Sequence, residues 1–315
     1  MASTVNIRGA KRKWIAIAFT VLTAGLLTAL GIYGIEEYGI SLFILTPIYI
    51  GTCSTLIYGY KQELTFNDAF QVSFSALLFF ALGLLVFAIE GLICIAMAFP
   101  IGLLFMTVGT FIGYHLLPHP KNTPKIILAL MTLIPLTGFI EKDTEPGLCV
   151  VRTSIEIDAS PIEVWKNVVA FPALDSPDDF LFKVGIAYPT SAQIKGAGAG
   201  AVRYCNFNTG TFIEPITVWD EPRVLKFDVA QQPEPLREIS FWDIDAPHLH
   251  DYFVSRQGQF TLTELPGKKT LLEGTTWYHH NIKPAFYWQL WSEYIVHKIH
   301  TRVLKHIKKN SERIK

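Results

Sequence analysis

The stretch that most limits the fold is the run of 45 residues from Val72 to Leu116, in which Glu90 is the one acidic or basic side chain apart from His115. As a single helix it would be roughly 68 Å long at 1.5 Å per residue, more than twice a hydrocarbon core of about 30 Å. It therefore predicts two spans, 72–89 and 92–116, turning at Glu90-Gly91, with Pro100 as a kink in the second. The same length argument predicts spans over 14–34 and 40–60. A last apolar run, 126–140, has only fifteen residues and contains Pro135, so it reads as a short span helped by Lys125 snorkelling, or as an interfacial segment.

Arg8, Lys11, Arg12 and Lys13 precede the first run as they would in a signal peptide, but the run is too long and no small-residue cleavage site follows. The expectation is a retained span with the basic end inside. Lys121 and Lys125 then fall on the same side. Five spans would leave the rest of the chain extracytoplasmic, in a plasma or inner membrane; four would keep it inside. Glu90 reads as the acid of a hairpin tip, with an intramembrane carboxylate on a transport path as the alternative. "GTFIG", Gly109 to Gly113, matches a helix-contact pattern that is weak in so glycine-rich a segment.

Charge separates the chain into halves. Residues 1–140 hold seven Lys/Arg and five Asp/Glu, whereas 141–315 hold twenty and twenty-two. Neither half has the basic surplus that neutralising nucleic-acid phosphates requires, so nucleic acid is not an expected partner. "EKDTEPGL", 141–148, is a linker reaching at most about 28 Å, which keeps the domain over 149–315 near the bilayer surface. Cys53 and Cys94 sit in apolar runs as packing residues, and Cys149 and Cys205 fit no metal or redox spacing. A disulfide between the last two is a minor alternative.

The second half opens with an alternating strand that puts Val151, Thr153, Ile155 and Ile157 on one face. Ser160, Pro161 and Glu163 then form a capping box, starting a helix whose stripe is Ile162, Trp165, Val168 and Val169. "IKGAGAGAVRYC", 194–205, looks at first like a phosphate loop. A dinucleotide fingerprint needs a helix after its glycines, and here strands and the hairpin signal Asn208-Thr209-Gly210 follow, so no nucleotide is expected. Gly196, Gly198 and Gly200 read instead as a turn or bulged edge between antiparallel strands. Further strands run over 223–229, 252–265 and 270–279. A terminal helix over 283–311 repeats Trp291, Ile295, Ile299, Val303 and Ile307 at fours, with Trp288, Tyr294 and Leu304 alongside.

This order, with "DASPIEVW", "GAGAGAVRYCNFNTGTFIEPITVWDEPRVLKFDV", "LLEGTTWYHH" and "IHTRVLKHIK", resembles the START-like helix-grip superfamily (SRPBCC), closest in pattern to its polyketide cyclase/dehydrase and lipid-transport branch. The resemblance covers about 149–312 and implies an α+β domain whose curved antiparallel sheet wraps a long C-terminal helix. It also implies a hydrophobic ligand in the cavity between them, with or without chemistry upon it, and places the glycine stretch between the second and third strands.

In "TLLEGTTWYHH", Glu273 argues that Leu271, Glu273, Thr275 and Trp277 point outward. The expected cavity wall is then Leu272, Gly274, Thr276 and Tyr278, facing Trp291, Tyr294 and Ile295, with Leu225, Phe227, Phe260 and Leu262 beside them. Trp277, Tyr278, Tyr287, Trp288, Trp291 and Tyr294 are dense enough to line a pocket, and such a wall is also the core. Arg203 and Glu214 face each other if the Asn208 loop has two residues, and Glu214 opposes Tyr204 if it has three. A surface ion pair is the expectation; a buried one could orient a polar ligand group. His248 and His280 are possible acid–base groups. Asp243, Asp245, His248, His250 and Asp251 match no standard metal spacing, and His297 and His300, one turn apart, read as surface or interfacial. No metal and no cofactor is expected. The leading reading is a membrane-anchored module binding or transferring a lipid or other hydrophobic small molecule. A cyclase- or dehydratase-type enzyme and an interaction module for membrane proteins are the alternatives.

Overall fold

The computed structural model describes residues 2–142, 147–238, 247–250 and 252–313. They fall into two compact units. The first comprises Met1–Glu145 joined by Glu238–Pro247 and Ile282–Tyr287, and the second Pro146–Arg237, His248–Asn281 and Trp288–Lys315.

Among the described residues of the first unit, five helical segments are long and apolar enough to cross a membrane: Ala10–Ile35, Ser41–Tyr58, Phe66–Val86, Leu92–Leu116 and Pro120–Glu141. Helix α1 (Ala2–Ala29) runs into a π-helical turn, Leu30–Ile35, and a second such turn, Ser41–Leu45, leads into α2 (Thr46–Tyr58). α3 (Phe66–Val86) begins six residues before the expected 72 because Thr65 and Asp68 close a capping box ahead of the apolar run. α4 (Leu92–Leu116) continues through Pro100. α5 (Thr123–Glu141) follows a 3₁₀ turn, Pro120–Asn122, with a proline in its first turn, so the last candidate span has 22 residues where the apolar run alone has fifteen.

The GxxxG match is a true contact. A Cβ on Gly109 would lie 2.2 Å from the Ile48 carbonyl oxygen, and one on Gly51 would lie 2.1 Å from that of Met106, so α2 and α4 meet backbone to backbone. Thr52 donates across this seam to Gly109 O at 2.9 Å, while Ser54 and Thr55 bond Ser73 of α3 at 2.9 and 3.1 Å. Gly91, at the N-cap of α4, has no side chain to receive the helix's first amides. Glu238 does so instead, accepting from Ile93 N at 3.1 Å and Cys94 N at 3.2 Å. Glu90 is buried at the adjacent turn. Burial pushes its carboxyl up to about 8; a Tyr38 hydrogen bond opposes this and Glu238 adds to it. Glu37 is buried and pairs with Lys283 at 3.0 Å.

The second unit has the helix-grip fold. Seven strands among the described residues form one curved antiparallel sheet in the order β1-β7-β6-β5-β4-β3-β2. They are β1 (Cys149–Ile157), β2 (Pro189–Lys195), β3 (Val202–Phe207), β4 (Gly210–Asp220), β5 (Val224–Asp228), β6 (Phe253–Leu265) and β7 (Lys269–His280). Two short helices, α6 (Pro161–Val169) and α7 (Phe180–Lys183), lie between β1 and β2, and α8 (Ala285–Glu312) ends the chain. α6 has the expected capping box, Ser160 N donating to Glu163 Oε2 at 2.9 Å, but its buried stripe is Val164, Trp165 and Val168, with Ile162 exposed.

Gly196, Gly198 and Gly200 form the β2–β3 turn, with φ of +91°, +82° and +91°. Three left-handed residues in five demand glycine at each, and this conformational need accounts for the spacing of the motif. The core gathers Ile157, Leu272, Leu262, Leu225 and Ile216 from the sheet, Val164, Trp165 and Val168 from α6, and Val303, Leu304 and Ile307 from α8. All four cysteines are free thiols. Cys149 and Cys205 lie on β1 and β3, separated in the sheet by four other strands, which rules out the bridge held as an alternative.

Candidate functional site

The pleat fixes what the inner face of the sheet presents. β6 sets Phe260 opposite Gly274 and Leu262 opposite Leu272, and β5 sets Leu225 opposite Phe260 and Phe227 opposite Gly258. On the far side of β7, Thr153 of β1 opposes Gly274 and Val151 opposes Thr276. Leu225, Phe227, Phe260, Leu262, Leu272, Gly274, Thr276 and Tyr278 therefore share one face with the β1 set Val151, Thr153, Ile155 and Ile157.

Two polar clusters interrupt this apolar wall. The first is centred on Arg203. The β3–β4 loop is the two-residue form, so Arg203 stands opposite Glu214, and Arg203 Nη1 donates to Glu214 Oε2. The pair is not at the surface: Arg203 is 2% and Glu214 5% exposed. The expected surface pair is corrected because the β3 and β4 pleats aim both side chains into the concave face, alongside Cys205 and Ile216. Nε of Arg203 donates to Val169 O at 3.3 Å. Its guanidinium carbon lies 5.5, 5.4 and 5.7 Å from the ring centres of Phe171, Phe227 and Phe260. Phe227 takes its place because β6 has glycine opposite: a Cβ on Gly258 would sit 2.4 Å from two atoms of that ring. Burial raises the Glu214 carboxyl above its usual range, with Arg203 beside it pulling the other way. Burial, then the Glu214 charge, pushes the neighbouring Cys205 thiol up to about 12, so it is an inert packing group.

The second cluster joins α8 to β1 and β7. Thr153 Oγ1 lies 2.9 Å from His297 Nδ1 and 3.1 Å from His300 Nδ1, and Thr276 Oγ1 lies 2.7 Å from His300 Nε2. One turn and a half along the same helix, Ser292 Oγ bonds Tyr278 Oη at 2.8 Å. Burial, with a smaller push from His297, lowers the His300 imidazole to about 4, so it is neutral near pH 7. These contacts revise the reading of α8. Its buried residues are Trp288, Ser292, Val296, Val303, Leu304, Ile307 and Ser311, while Trp291 and Ile295 are half-buried and Tyr294 is 47% exposed. An apolar repeat does not count Ser292 and His300, yet both point at the sheet because it offers them hydroxyls. Tyr294, assigned to the wall from that repeat, is displaced from it.

His248 is buried on the turn Pro247–Leu249, where burial and then His250 lower it to about 4; His280 is buried at the end of β7, four residues beyond Thr276. Asp243, Asp245 and Asp251 lie outside the described residues. Sequence reasoning missed Phe171 and Thr153 as site residues. Thr153 carried a usable signal: it is the hydroxyl in an otherwise apolar alternation, and Thr276 is its counterpart on β7.

Neither a scan against known protein families nor a search of curated proteins returns a match. Solved structures similar to the chain include norcoclaurine synthase from Thalictrum flavum in complex with dopamine and hydroxybenzaldehyde, at 12% identity, covering 54% of this chain and 90% of that one with a TM-score of 0.34. The Zhui aromatase/cyclase from Streptomyces sp. R1128 is 13% identical over 53% of this chain and 95% of its own, with a TM-score of 0.36. The protein XoxI from Bacillus cereus is 18% identical over 53% and 97%, with a TM-score of 0.34.

Proposed function

We propose that this chain is a membrane-anchored helix-grip protein that binds or transfers a lipid or other hydrophobic small molecule, seating the molecule's polar group among the buried polar side chains of the sheet. The observation that carries this reading is the Arg203–Glu214 pair in its cage of three phenylalanines. A buried ion pair stabilises a fold no better than apolar side chains of the same size, so its presence argues for recognition. The wall from Leu225 to Tyr278, with Trp291 and Ile295 of α8, is assigned to the apolar part of the ligand. Five candidate spans after a basic N-terminus support the helix-grip unit lying on the extracytoplasmic side of a plasma or inner membrane. The cyclase- or dehydratase-type alternative is favoured by one observation, the imidazole–hydroxyl contact of His300 and Thr276.

The test uses the full chain in nanodiscs with a fluorescent fatty acid or sterol probe, alongside mass spectrometry of molecules that copurify. A Cβ on Gly274 would meet Phe260, Leu304 and His300 at 3.7–3.9 Å, so alanine fits and leucine overfills. Gly274→Leu and Thr276→Trp should weaken probe uptake, and Glu273→Ala on the outer face should leave it unchanged. Loss of uptake in Glu273→Ala with the other two unaffected would reject the assigned face. For topology, labels at the two ends of the chain should report opposite sides; the same side would mean four spans.

A further inference from the structure

Counting donors in the second cluster leads beyond ligand binding. Three hydrogen bonds link four side chains in a line: His297 Nδ1 to Thr153 Oγ1, Thr153 Oγ1 to His300 Nδ1, and His300 Nε2 to Thr276 Oγ1. A neutral imidazole has one N–H and one bare nitrogen, and a hydroxyl donates once while accepting elsewhere. Two arrangements satisfy every contact with the Thr153 hydroxyl donating within the line. In one, His297 Nδ1–H donates to Thr153, Thr153 donates to His300 Nδ1, His300 Nε2–H donates to Thr276, and the Thr276 hydroxyl is left to donate to whatever stands before it. In the other, each bond is reversed: Thr276 donates to bare His300 Nε2, His300 Nδ1–H donates to Thr153, and Thr153 donates to bare His297 Nδ1.

The two arrangements differ by one proton moved along the line. If His297 Nε2 takes a proton from solvent, its Nδ1 proton passes to Thr153, that of Thr153 to His300 Nδ1, that of His300 Nε2 to Thr276, and that of Thr276 to an oxygen in front of it. The first arrangement becomes the second, and no charge stays on the chain. The ends suit this: the His297 ring is exposed, whereas Thr276 faces inward between Gly274 and Tyr278 on the wall. Around His300, β1 contributes Thr153, β7 contributes Gly274 and Thr276, and α8 contributes His297 and Leu304; of these His297 alone carries an ionisable side chain. The depressed basicity of His300 keeps it in the neutral form that both arrangements need.

We propose that His297, Thr153, His300 and Thr276 form a proton relay between solvent and the interior, and that it serves the carboxyl group of a hydrophobic acid, which it protonates on entry and deprotonates on release. The balance is one carboxylate plus one solvent proton giving one bound carboxylic acid, with the relay left in its reversed arrangement. This rests on the ligand-binding reading above and narrows its ligand to a long-chain acid.

Two measurements on the full chain in nanodiscs separate the parts. Without ligand, ¹⁵N-histidine NMR should show the His300 nitrogens averaging between both tautomers, and Thr153→Val should lock one. A single fixed tautomer that Thr153→Val leaves unchanged overturns the relay, whether or not any acid binds. With ligand, stopped-flow mixing with oleate in weakly buffered dye should show about one proton taken up per molecule bound, and methyl oleate should bind with none. In Thr153→Val and His300→Gln, proton uptake should lag binding at least tenfold. His297→Ala should show the same lag, rescued by added imidazole, because His297 is the exposed end of the line; a merely structural role would not be rescued. Uptake of protons at the wild-type rate in these variants overturns the relay. If oleate fails to bind while the tautomers interchange, the assignment to a hydrophobic acid is overturned and the relay stands.

Discussion

Removing the charge of Arg203 while keeping its bulk, by Arg203→Met, leaves the Glu214 carboxylate buried without its partner and discards three ring contacts. Breaking a fully buried pair from one side costs about 3–5 kcal/mol, and both partners here are at least nineteen-twentieths buried, so the upper part of that range applies. Glu214→Leu alone should cost a similar amount by stranding the guanidinium. The double variant removes both charges. Apolar replacement of a whole buried pair is neutral or stabilising by about 1–4 kcal/mol, against which the lost cation–π contacts count roughly 1–2 kcal/mol. The double variant should therefore lie within about 2 kcal/mol of the parent, and the cycle should depart from additivity by more than about 3 kcal/mol. Urea unfolding in nanodiscs followed by tryptophan fluorescence reads this unit, since six of the seven tryptophans follow residue 149. The same double variant should lose affinity for a hydrophobic acid although its fold survives. Additive losses, or a double variant as unstable as the sum of the singles, would show that the pair serves the fold, and the recognition argument would go with it.

Acid should weaken the second unit through His300. Its folded value of about 4 lies below the unfolded value of about 6.5, so the unfolded chain takes the proton first as pH falls. The stability present above about pH 6.5 is then lost toward pH 4, by at most roughly 3 kcal/mol, and His300→Gln should flatten that part of the curve; an unchanged slope would contradict it. Gly258→Ala should displace the Phe227 ring at a cost of about 1–3 kcal/mol, and adding Phe227→Leu should recover part of the loss in thermal unfolding. Glu238→Ala should remove the cap of α4 for about 1 kcal/mol, seen as faster hydrogen exchange at Ile93 and Cys94; unchanged exchange would deny Glu238 that role.

What the chain discloses from its letters alone follows the range of the forces involved. Apolar run length and alternation are local, and they located α4, the β1 face and the two-sided β7. The capping boxes at Ser160 and Thr65 are equally local, and the second opens α3 six residues ahead of its apolar run. The β2–β3 glycines were legible by exclusion, because the strands that follow them leave no helix for a phosphate. The Arg203–Glu214 pair was half legible: the loop length that sets its register was one of two stated forms, and burial depended on where two pleats point, which needs the whole sheet. The α8 stripe was misjudged at Tyr294 because polar Ser292 and His300 occupy its inward face, and their hydroxyl partners stand more than a hundred residues away on β1 or across the turn on β7.

The glycine contact between α2 and α4 has a consequence for how the chain is made. α2 is the least apolar of the five candidate spans, with a mean hydropathy of 1.5, and the most enclosed, with 61% of its window buried. Its Gly51 faces Gly109, fifty-eight positions later, which a ribosome adds roughly 3–12 s afterwards. On the membrane-anchored reading proposed above, α2 holds a place in the bilayer through that interval with Thr52 unmatched, since the carbonyl that accepts from it belongs to a helix not yet synthesised. Biogenesis on that reading includes an interval in which the second candidate span is lodged but unfinished. Cys53, fully buried in the complete chain, is a natural reporter of it: a thiol reagent should label Cys53 in chains halted before α4 and spare that residue in the full-length protein, and equal protection of Cys53 in both would mean that α2 is complete without its later partner.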